Sequence, residues 1–540
     1  MAKKVFYDDD ARARVLGGAK ALYDAVKVTY GPKGRNVVIG RGFGGPVVTH
    51  DGVTVAEAVD LPDVDDETLG YKVGAELIKQ AASKLNKVAG DGTTTVTVLT
   101  YSILKEASRL IAAGHNPMEL RKGIESAGAE VVEKLTSLSE GIEGKSDRVA
   151  EVATISAGDE TIGKLIAGVI EKIGKDGVVT VEAGQGLELE AEVVEGFTTD
   201  KGWASPFFVT DATRQEAIYE KPAIIITDKK VSSAQEILPL IEKLVQAGRK
   251  DMVIFAEEVE GEALSVLILN KLKGVLNAVV VKAPSYGDRR AEIFEDIAVL
   301  TGGTVISESR GLSFEDAELD AVGSARKVIV GKDETTIITG DGAKKAVTAR
   351  IEQIKQQSEA ADGQFDKEQY EKRAAALSGK VAVIKVGGAT ETEIDEKKFR
   401  VDDAVAATKA ALAEGVVAGG GVTLVNIAAG IKANGDPGRQ ILKDALQQPF
   451  LQIMENAGLN AGALLAQVEA GKPGFGIDVN DPEKGLIDVK KAGVIDPSRV
   501  TKEAVLNAVS IASTAATMGA LVVDIPEKDV PAASGGGMGF

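Results

Sequence analysis

The sequence predicts a multidomain α/β protein in which an α/β unit is inserted into a mainly helical domain. In both terminal parts of the chain, Leu, Ile, Val and Ala recur at spacings of three and four residues, which is typical of amphipathic helices. In the middle, short apolar runs alternate with helical segments, which is the pattern of a parallel sheet with crossover helices. A length of 540 residues leaves room for roughly three or four domains.

The N-terminal segment is predicted to mix helix and strand. Helical periods extend over residues 11–30 and 64–136. Between them, the stretches NVVIG and PVVTHDGVTVAEAV are rich in β-forming residues and predict strands. Asp51 and Gly52 lie inside the second stretch, and Asp-Gly is the strongest short-range signal for a hairpin turn. We therefore expect a β-hairpin with its turn at Asp51.

The middle segment is predicted to form an α/β unit of its own. From Pro222 onward, apolar runs such as AIIITD, DMVIFAEEV and NAVVVKAPS alternate with helical segments. After about residue 404, long Ala-rich helices return and resemble the opening segment more than the middle. The α/β unit is therefore expected to be inserted into a helical domain that both chain ends build.

Two connecting segments are expected, near residues 138–194 and 382–413. Four glycines lie at these joints, where they permit the backbone changes of a hinge: Gly141, Gly196, Gly379 and Gly415. An ordinary turn explains any one of these glycines equally well.

Composition excludes several classes of function. The formal charge of −18 opposes non-specific binding to nucleic acid and to anionic lipid, so no nucleic acid and no membrane is expected as a partner. The chain has no cysteine, which excludes disulfides, thiol nucleophiles and thiolate metal sites. Its two histidines, His50 and His115, leave little for a zinc site. Acid–base chemistry must therefore come from carboxylates or water.

The cellular location is predicted from the absence of targeting and membrane segments in the sequence. The N-terminus has two lysines but no apolar segment of the ~7 to 15 residues found in a secretory signal, and no stretch approaches the ~18 apolar residues of a membrane helix. We expect a cytoplasmic protein. The Gly-rich tail over residues 525–540 is expected to be flexible, because it offers too little apolar surface to offset the entropy of ordering.

Standard nucleotide-binding motifs give little support. The sequence contains no G-x-x-x-x-G-K-[ST]. Gly40, Gly42 and Gly45 match G-x-G-x-x-G, but Pro46-Val47-Val48 continues as a strand where a dinucleotide site needs a helix. A phosphate-binding function must therefore use another arrangement.

The stretch AGDGTTTVTVLTYSIL offers such an arrangement. A Gly-Asp-Gly turn at residues 90–92 leads directly into three threonines and a helical period. Backbone N–H groups at a helix start, together with threonine hydroxyls, can hold phosphate oxygens, and Asp91 would then be placed to bind Mg²⁺. A turn followed by an ordinary threonine cap explains the same residues about equally well. Asp402 and Asp403, similarly, could merely place negative charge at a helix N-terminus.

Two helices of the middle segment carry more apolar surface than one buried face requires. In the first, Ile237, Leu240 and Leu244 form one row and Leu238, Ile241 and Val245 form a second beside it; in the other, Leu264, Ile268 and Leu272 are accompanied by Leu267 and Leu269. One row can pack on the sheet while the other faces outward as a binding surface. Burial on both sides is an equally good explanation, because periodicity does not say what covers the second row.

Taken together, these stretches resemble the group I chaperonins, the GroEL family, over nearly the whole chain. The matching words occur in order: VTYGPKGRNV, HDGVTVA, AGDGTTT, VVEGF followed by KGWASPFF, EEVEGEAL, VKAPSYGDRR, ATETEI, GVVAGGG and IDPSRVT. The resemblance implies an equatorial ATP-binding domain (1–137 and 414–524), an intermediate hinge domain (138–194 and 382–413) and an inserted apical substrate-binding domain (195–381).

The resemblance also implies an ATPase site with ATP and Mg²⁺ as cofactors and K⁺ as a further candidate. Asp403 resembles the carboxylate that activates the attacking water, assisted by Asp51, and Asp91 resembles the Mg²⁺ ligand. The remaining nucleotide-binding positions surround the phosphates, the ribose and the base: Thr29, Tyr30, Gly31, Pro32, Gly92, Thr93, Thr94, Thr95, Gly420, Asp478, Val479 and Asp496.

On the middle segment, the resemblance implies a surface for non-native polypeptides and for a small co-chaperonin of the GroES type. Its residues are Trp203, Phe207, Phe208, Leu238, Ile241, Leu264, Ile268 and Leu269. The implied assembly is a homo-oligomer, a ring of seven subunits, that assists protein folding, refolding and the stress response. A holdase that uses the same surface without hydrolysis is the alternative, and a group II chaperonin is disfavoured because the middle segment lacks an obvious helical extension.

Several residues depart from the pattern of the group I chaperonins. Tyr30 stands where the family usually has leucine, and His50 stands where it usually has lysine. Leu451 and Asn460 occupy positions where double-ring members often place an arginine and a glutamate that pair across the rings. One ring and two rings therefore both remain open.

Overall fold

The computed structural model describes residues 2–40, 45–61, 67–174, 177–184, 186–212, 214–285, 287–339, 344–360 and 364–525. It divides into two compact units, which we call unit 1 (Met1–Gly168, Ala183–Leu189 and Val386–Phe540) and unit 2 (Val169–Glu182 and Glu190–Lys385). Because both chain ends belong to unit 1, the predicted insertion of an α/β unit is confirmed. The limits of the three predicted domains remain a prediction, and the tail after residue 525 lies outside the described residues.

The N-terminal segment folds into β1 Lys3–Tyr7, α1 Asp8–Val26, β2 Val37–Ile39, β3 Val47–Thr49, α2 Gly52–Ala58, α3 Tyr71–Ala89, α4 Thr93–Ala112, α5 Pro117–Leu138, α6 Ser146–Ala157 and α7 Glu160–Ile173. The middle segment folds into β4 Val178–Ala183, β5 Glu190–Thr199, β6 Ala217–Glu220, β7 Ala223–Thr227, β8 Lys230–Val231, α8 Ala234–Gln246, β9 Asp251–Ala256, β10 Glu258–Val259, α9 Gly261–Leu272, β11 Asn277–Lys282, α10 Asp288–Thr301, β12 Val305–Ile306, β13 Gly323–Ser324, β14 Lys327–Val330, β15 Thr335–Ile338, α11 Lys344–Ala360, α12 Gln364–Leu377 and β16 Lys380–Val386.

The C-terminal segment folds into α13 Glu391–Glu414, β17 Val416–Ala418, α14 Val422–Gly430, α15 Pro437–Ala445, α16 Gln448–Asn456, α17 Ala461–Ala470, β18 Phe475–Gly476, β19 Ile487–Asp488, β20 Ile495–Pro497, α18 Ser498–Ala516 and β21 Ala520–Asp524. Its last strand, β21, pairs antiparallel with β1, so the two ends of the chain meet in unit 1. Every helix of the described part of the chain is too short or too polar to cross a lipid bilayer.

Unit 1 is built on aliphatic packing between helices from both chain ends. Its core includes Leu22 of α1, Ile78 of α3, Leu99 of α4 and Ile124 of α5, which are fully buried. α1 and α3 approach so closely that glycine is required at their contact. A Cβ atom on Gly18 would lie 1.7 Å from the backbone carbonyl oxygen of Tyr71.

Unit 2 contains the predicted parallel sheet. The strands β11, β9, β7 and β12 are adjacent in that order and parallel, and β13 pairs antiparallel with β7. α8 lies between β7 and β9 in the chain, and α9 lies between β9 and β11, as crossover helices do. Strand residues from Ala223 to Thr227 are all buried, which fits a sheet covered on both faces. A second sheet has the strand order β4, β16, β5, β15, β14, β6.

The predicted hairpin turn at Asp51 is wrong. β2 pairs antiparallel with β3, so the two strands that precede Asp51 pair with each other instead. Gly42 of the glycine motif lies outside the described residues. Asp51 is the N-cap of α2, and its carboxylate accepts hydrogen bonds from the N–H groups of Val53 at 3.0 Å and Thr54 at 2.8 Å. Aspartate is a strong N-cap, and burial of Val53 and Val55 within α2 outweighs the β propensity of these two valines.

The four glycines at the predicted joints differ in their need for glycine. Gly415 has a φ of +79°, and its Cβ would lie 2.6 Å from the carbonyl oxygen of Glu140. Gly196 lies inside β5, where a side chain would meet Val381 at 2.3 Å. Glycine at these two positions therefore has a structural reason, and whether any of the four acts as a hinge remains a prediction.

Replacing Gly18 with alanine should lower the thermal midpoint of unfolding. The new Cβ atom meets backbone rather than a movable side chain, so α1 and α3 must separate, which we expect to cost about 2 kcal/mol or more. Gly168→Ala is the matched control, because this glycine also lies in a helix and a Cβ there meets nothing within 4 Å. Apart from these contacts, alanine stabilises a helix by about 1 kcal/mol relative to glycine, and this gain is the same at both sites. Calorimetry that finds Gly18→Ala as stable as Gly168→Ala would contradict the close contact.

Candidate functional site

A cavity of about 640 Å³ opens within unit 1, in the size range of small-molecule sites. Its walls come from segments that are far apart in the sequence, which the helical packing of unit 1 brings together. Every residue that the sequence assigned to catalysis or nucleotide binding lines it: Thr29, Tyr30, Gly31, Pro32, Asp51, Asp91, Gly92, Thr93, Thr94, Thr95, Asp403, Gly420, Asp478, Val479 and Asp496.

The start of α4 forms one wall of the cavity. Its N-cap is Gly92, with a φ of +85°, and no side chain caps the helix. Any Cβ atom at Gly92 would lie 2.5 Å from Val500, so glycine is required there. The first N–H groups of a helix have no acceptor within the helix, and the helix dipole makes this end positive. The hydroxyl groups of Thr93, Thr94 and Thr95 add further donors to the wall.

Asp91 stands immediately before this helix start. The N–H group of Gly92 donates to Oδ1 of Asp91, and the hydroxyl of Ser156 donates to Oδ2 at 2.8 Å. Burial raises the pKa of Asp91, and the charge of Asp51 raises it further, while the two hydrogen bonds oppose the shift. The carboxylate is therefore held in one orientation at the cavity wall.

Ser156 was missed by the sequence analysis. It is the penultimate residue of α6, and nothing in its local sequence distinguishes it from any serine near a helix end. The fold places it against a residue 65 positions away. No local pattern could have found this contact.

Asp403 lies deep inside α13, on a face that Glu396, Phe399 and Arg400 share at helical spacing. The alternative that Asp402 and Asp403 mark a helix N-terminus is therefore wrong, because α13 begins at Glu391. The hairpin turn that the sequence favoured for Asp51 is excluded as well. Asp51 caps α2 and also lines the cavity.

Asp496 faces the cavity from β20, and its carboxylate accepts a hydrogen bond from the backbone of Gly420. Burial raises the pKa of Asp496 to about 7, and the negative charge of Asp91 adds to the effect. Asp478 lies nearby in a loop, where its carboxylate accepts from the N–H of Asn480 at 2.9 Å. The cavity thus concentrates carboxylates that repel one another unless cations join them.

His50 adds a titratable group beside Asp51. Burial lowers its pKa, and the positive charge of Arg400 lowers it further, while Glu396 and Asp51 oppose the shift. The imidazole is therefore neutral at neutral pH, where the lysine usual at this position would carry a positive charge.

The residues of the cavity suit a magnesium–nucleotide better than a metal held by protein alone. Within the described residues, no group of three or more His, Cys, Asp or Glu side chains is arranged to hold a metal ion. Mg²⁺ commonly binds through one or two carboxylates and completes its shell with phosphate oxygens and water. Asp91, next to the donors at the start of α4, fits this arrangement.

The surface predicted on unit 2 is exposed only in part. Phe207 is 63% exposed and Leu269 is 50% exposed, and Trp203, Leu238, Leu264 and Ile268 are partly buried. Leu272, which lies in one row with Leu264 and Ile268 on α9, is also well exposed. Part of the extra apolar surface on α9 is thus uncovered, as one of the two interpretations expected.

Phe208 and Ile241 do not belong to an exposed surface, contrary to the prediction. Both are buried, with exposed fractions of 0% and 3%. Neighbouring residues of the short turn Pro206–Phe208 point to opposite sides, so Phe207 faces solvent and Phe208 enters the core. Ile241 lies beside Leu240 and Leu244 on the face of α8 that packs inward.

The fold and the cavity define the class of protein. The model of the TCP-1/cpn60 chaperonin family matches residues 22–525, so the chain belongs to this family, and its prediction as a chaperonin is confirmed.

A solved structure with the same fold is the chaperonin gp146 from the bacteriophage EL 2 (Pseudomonas aeruginosa), crystallised in the presence of ATP-BeFx. The two proteins share 20% sequence identity with a TM-score of 0.62, and the match covers 97% of this chain and 99% of gp146. At this identity, the likeness concerns the fold.

Replacing Asp496 with asparagine should raise the thermal midpoint of the nucleotide-free protein at pH 8, and the gain should shrink as the pH falls toward 4. Folded wild-type protein binds more protons than the unfolded chain between the ordinary pKa near 3.8 and about 7. Its stability therefore falls as the pH rises through this window, and asparagine removes the ionisation. Thermal denaturation across the pH range measures the difference, and a gain that is constant or largest at low pH would contradict the raised pKa.

Proposed function

We propose that this chaperonin binds ATP with Mg²⁺ in the cavity of unit 1 and uses ATP hydrolysis to assist the folding of other proteins. Members of the family are ATPases in general, form oligomeric rings and act on unfolded proteins. The observation that carries the proposal is the convergence of Asp51, Asp91 and Asp403 with the open N-terminus of α4 on one cavity.

The phosphates would bind where donors are concentrated. The N–H groups at the start of α4 and the hydroxyls of Thr93 to Thr95 face the cavity, and the turn from Thr29 to Pro32 lies on its wall. Such donors stabilise phosphate oxygens without reorganising during the reaction. Asp91 would hold Mg²⁺, which neutralises charge on the phosphate oxygens. K⁺ is a further candidate cation in this acidic cavity.

The carboxylates of Asp403 and Asp51 would position and activate the water that attacks the terminal phosphate. Asp403 would orient it and accept its proton, and Asp51 would assist beside the terminal phosphate. Gly420, Asp478, Val479 and Asp496 would surround the ribose and the base. In this arrangement the protein supplies position and electrostatic stabilisation, which carry most of phosphoryl-transfer catalysis.

Clients would bind on unit 2. Phe207, Leu269 and Leu272 expose apolar surface, which binds non-native polypeptides without requiring a particular sequence. A small co-chaperonin of the GroES type would compete for the same surface and would close the central space of a ring of seven subunits. The assembly would consist of one such ring or two. We place this activity in the cytoplasm. Phe208 and Ile241 would take part only if unit 2 rearranged, because both are buried.

A holdase without productive hydrolysis is the second candidate. The exposed apolar residues of unit 2 favour it, since binding an unfolded chain to them requires no chemistry. The two candidates differ in whether wild-type protein hydrolyses ATP.

Asp403→Asn should lower steady-state ATP turnover by about 100-fold or more while nucleotide affinity changes little, because a positioned base contributes about 10² to 10⁴ to the rate. The matched control is Asp402→Asn, the neighbouring carboxylate of the same helix, which does not line the cavity. Turnover by Asp403→Asn at the wild-type rate would refute the assignment of Asp403. Wild-type protein that binds clients but releases no phosphate would establish the holdase.

Leu269→Ser should weaken capture of a chemically unfolded client by about five- to tenfold, because the apolar area that the client would cover is lost. Leu138→Ser is the matched control: this leucine of unit 1 is also 50% exposed. Capture is measured as suppression of client aggregation without nucleotide. Equal loss in both variants would mean that exposed leucines act non-specifically and that unit 2 carries no special surface.

A further inference from the structure

Tyr30 brings a phenol into the wall of the nucleotide cavity, where the resemblance expects leucine. Its hydroxyl lies 2.7 Å from the hydroxyl of Thr95. Thr95 is the third residue of α4, in the turn whose N–H groups are open to a ligand. The phenol therefore contacts one of the three threonine hydroxyls at the end of the cavity suited to phosphate.

Threonine hydroxyls deeper in α4 behave differently. Thr97 donates to the carbonyl oxygen of Thr93 at 2.9 Å, and Thr100 donates to that of Val96 at 2.6 Å. These bonds to the residue four positions earlier are the usual choice of a helical threonine, and they turn the hydroxyl proton back along the helix. The bond with Tyr30 gives the hydroxyl of Thr95 a different partner.

The chemistry of the two groups sets the direction of this bond. A phenol is far more acidic than an aliphatic alcohol, so Tyr30 is the better donor and Thr95 the better acceptor. Burial raises the pKa of Tyr30, the hydrogen bond with Thr95 opposes this shift, and the nearby carboxylates of Asp496 and Asp91 add to it, so the phenol keeps its proton. With Tyr30 donating, the proton of Thr95 is free to point to a second acceptor. Hydrogen bonds in series polarise one another, which strengthens that second bond.

Tyr30 is itself held firmly. Its backbone carbonyl accepts from the side-chain amide of Asn456 at 2.9 Å, and the same amide donates to the carbonyl of Lys27 at 2.8 Å. Gln452 fixes Asn456 through a bond of 3.0 Å, and the hydroxyl of Tyr23 fixes Gln452 at 3.1 Å. α1 and α16 thus lock the backbone that carries the phenol, so its position is set before any ligand binds.

We propose that Tyr30 is a positioning residue that directs the hydroxyl of Thr95 toward a phosphate of the bound nucleotide, an inference that rests on the proposed ATP site. The ligand class is a nucleoside di- or triphosphate, because the hydroxyl lies beside the phosphate-binding donors of α4. Tyr30 does not touch the reacting atoms in this proposal. Its effect should therefore appear in nucleotide affinity and in KM, with kcat nearly unchanged.

The test is a double-mutant cycle on nucleotide affinity. Dissociation constants of Mg·ATP and Mg·ADP are measured by calorimetry for full-length wild type, Tyr30→Phe, Thr95→Val and the double variant, and adenosine is measured by competition as a probe without phosphate. We expect each single variant to weaken Mg·ATP and Mg·ADP by about threefold to tenfold, the net effect of one lost hydrogen bond. The double variant should be no weaker than Thr95→Val alone. Adenosine should bind all four proteins equally.

Conservative variants and controls separate positioning from stability. Thr95→Ser keeps the hydroxyl and should restore wild-type affinity. Tyr219→Phe removes a buried phenol that donates to the carbonyl of Ala278 at 2.9 Å in unit 2, and Thr97→Val repeats the threonine change two residues along the same helix. Neither should change nucleotide affinity, even if the thermal midpoint falls.

The outcomes distinguish this inference from the proposed function. If wild-type protein binds Mg·ATP and Tyr30→Phe binds it equally, the role of Tyr30 is refuted and the ATP site stands. Additive losses in the double variant, or an equal loss for adenosine, refute it as well, because Tyr30 would then act independently of Thr95 or of phosphate. If wild-type protein binds no Mg·ATP, the proposed function fails and this inference fails with it.

Discussion

The tight turn from Gly90 to Gly92 is the constraint on which unit 1 depends. Both glycines have left-handed backbones, with φ values of +70° and +85°. A Cβ atom on Gly90 would lie 2.1 Å from Ala406 of α13, and one on Gly92 would lie 2.5 Å from Val500 of α18. The C-terminal helices therefore close directly onto a turn from the N-terminal segment. This contact explains why both chain ends are needed to complete one cavity.

Electrostatics gives the cavity its second constraint. Asp51, Asp91, Asp403 and Asp496 line one space of about 640 Å³, and the raised pKa values of Asp91 and Asp496 express their burial and mutual repulsion. The positive end of α4 offsets only part of this charge. A cation that enters with phosphate would relieve the repulsion, so acidic residues that destabilise the empty cavity favour the loaded one. The neutral state of His50 leaves this balance more negative than a lysine there would.

Unit 2 differs from unit 1 because it carries more apolar side chains than its core buries. The buried parallel sheet takes one side of α8 and α9, and residues such as Leu269 and Leu272 are left outside. Lys271 supports this edge: its ammonium donates to the carbonyl of Phe208, and burial lowers its pKa to about 8. A half-buried lysine thus ties the turn that presents Phe207 to the helix that presents Leu269.

The sequence by itself determined the family, the insertion of an α/β unit and the candidate catalytic and nucleotide-binding residues, all of which line the cavity. These features were predictable because they reside in local periodicity and in words such as AGDGTTT that keep their order along the chain. The role of Asp51 as a helix cap was not, because Asp-Gly and β-branched neighbours also suit a hairpin and only the burial of α2 decides between them.

Only the tertiary structure decided which side chains meet. Ser156 reaches Asp91, and Tyr30 reaches Thr95, each across 65 positions of sequence. It also decided that Phe208 and Ile241 are buried while Phe207 and Leu269 are exposed. Helical and strand periods state that a face is apolar, but not what covers it, and the partners of a side chain depend on how distant segments pack.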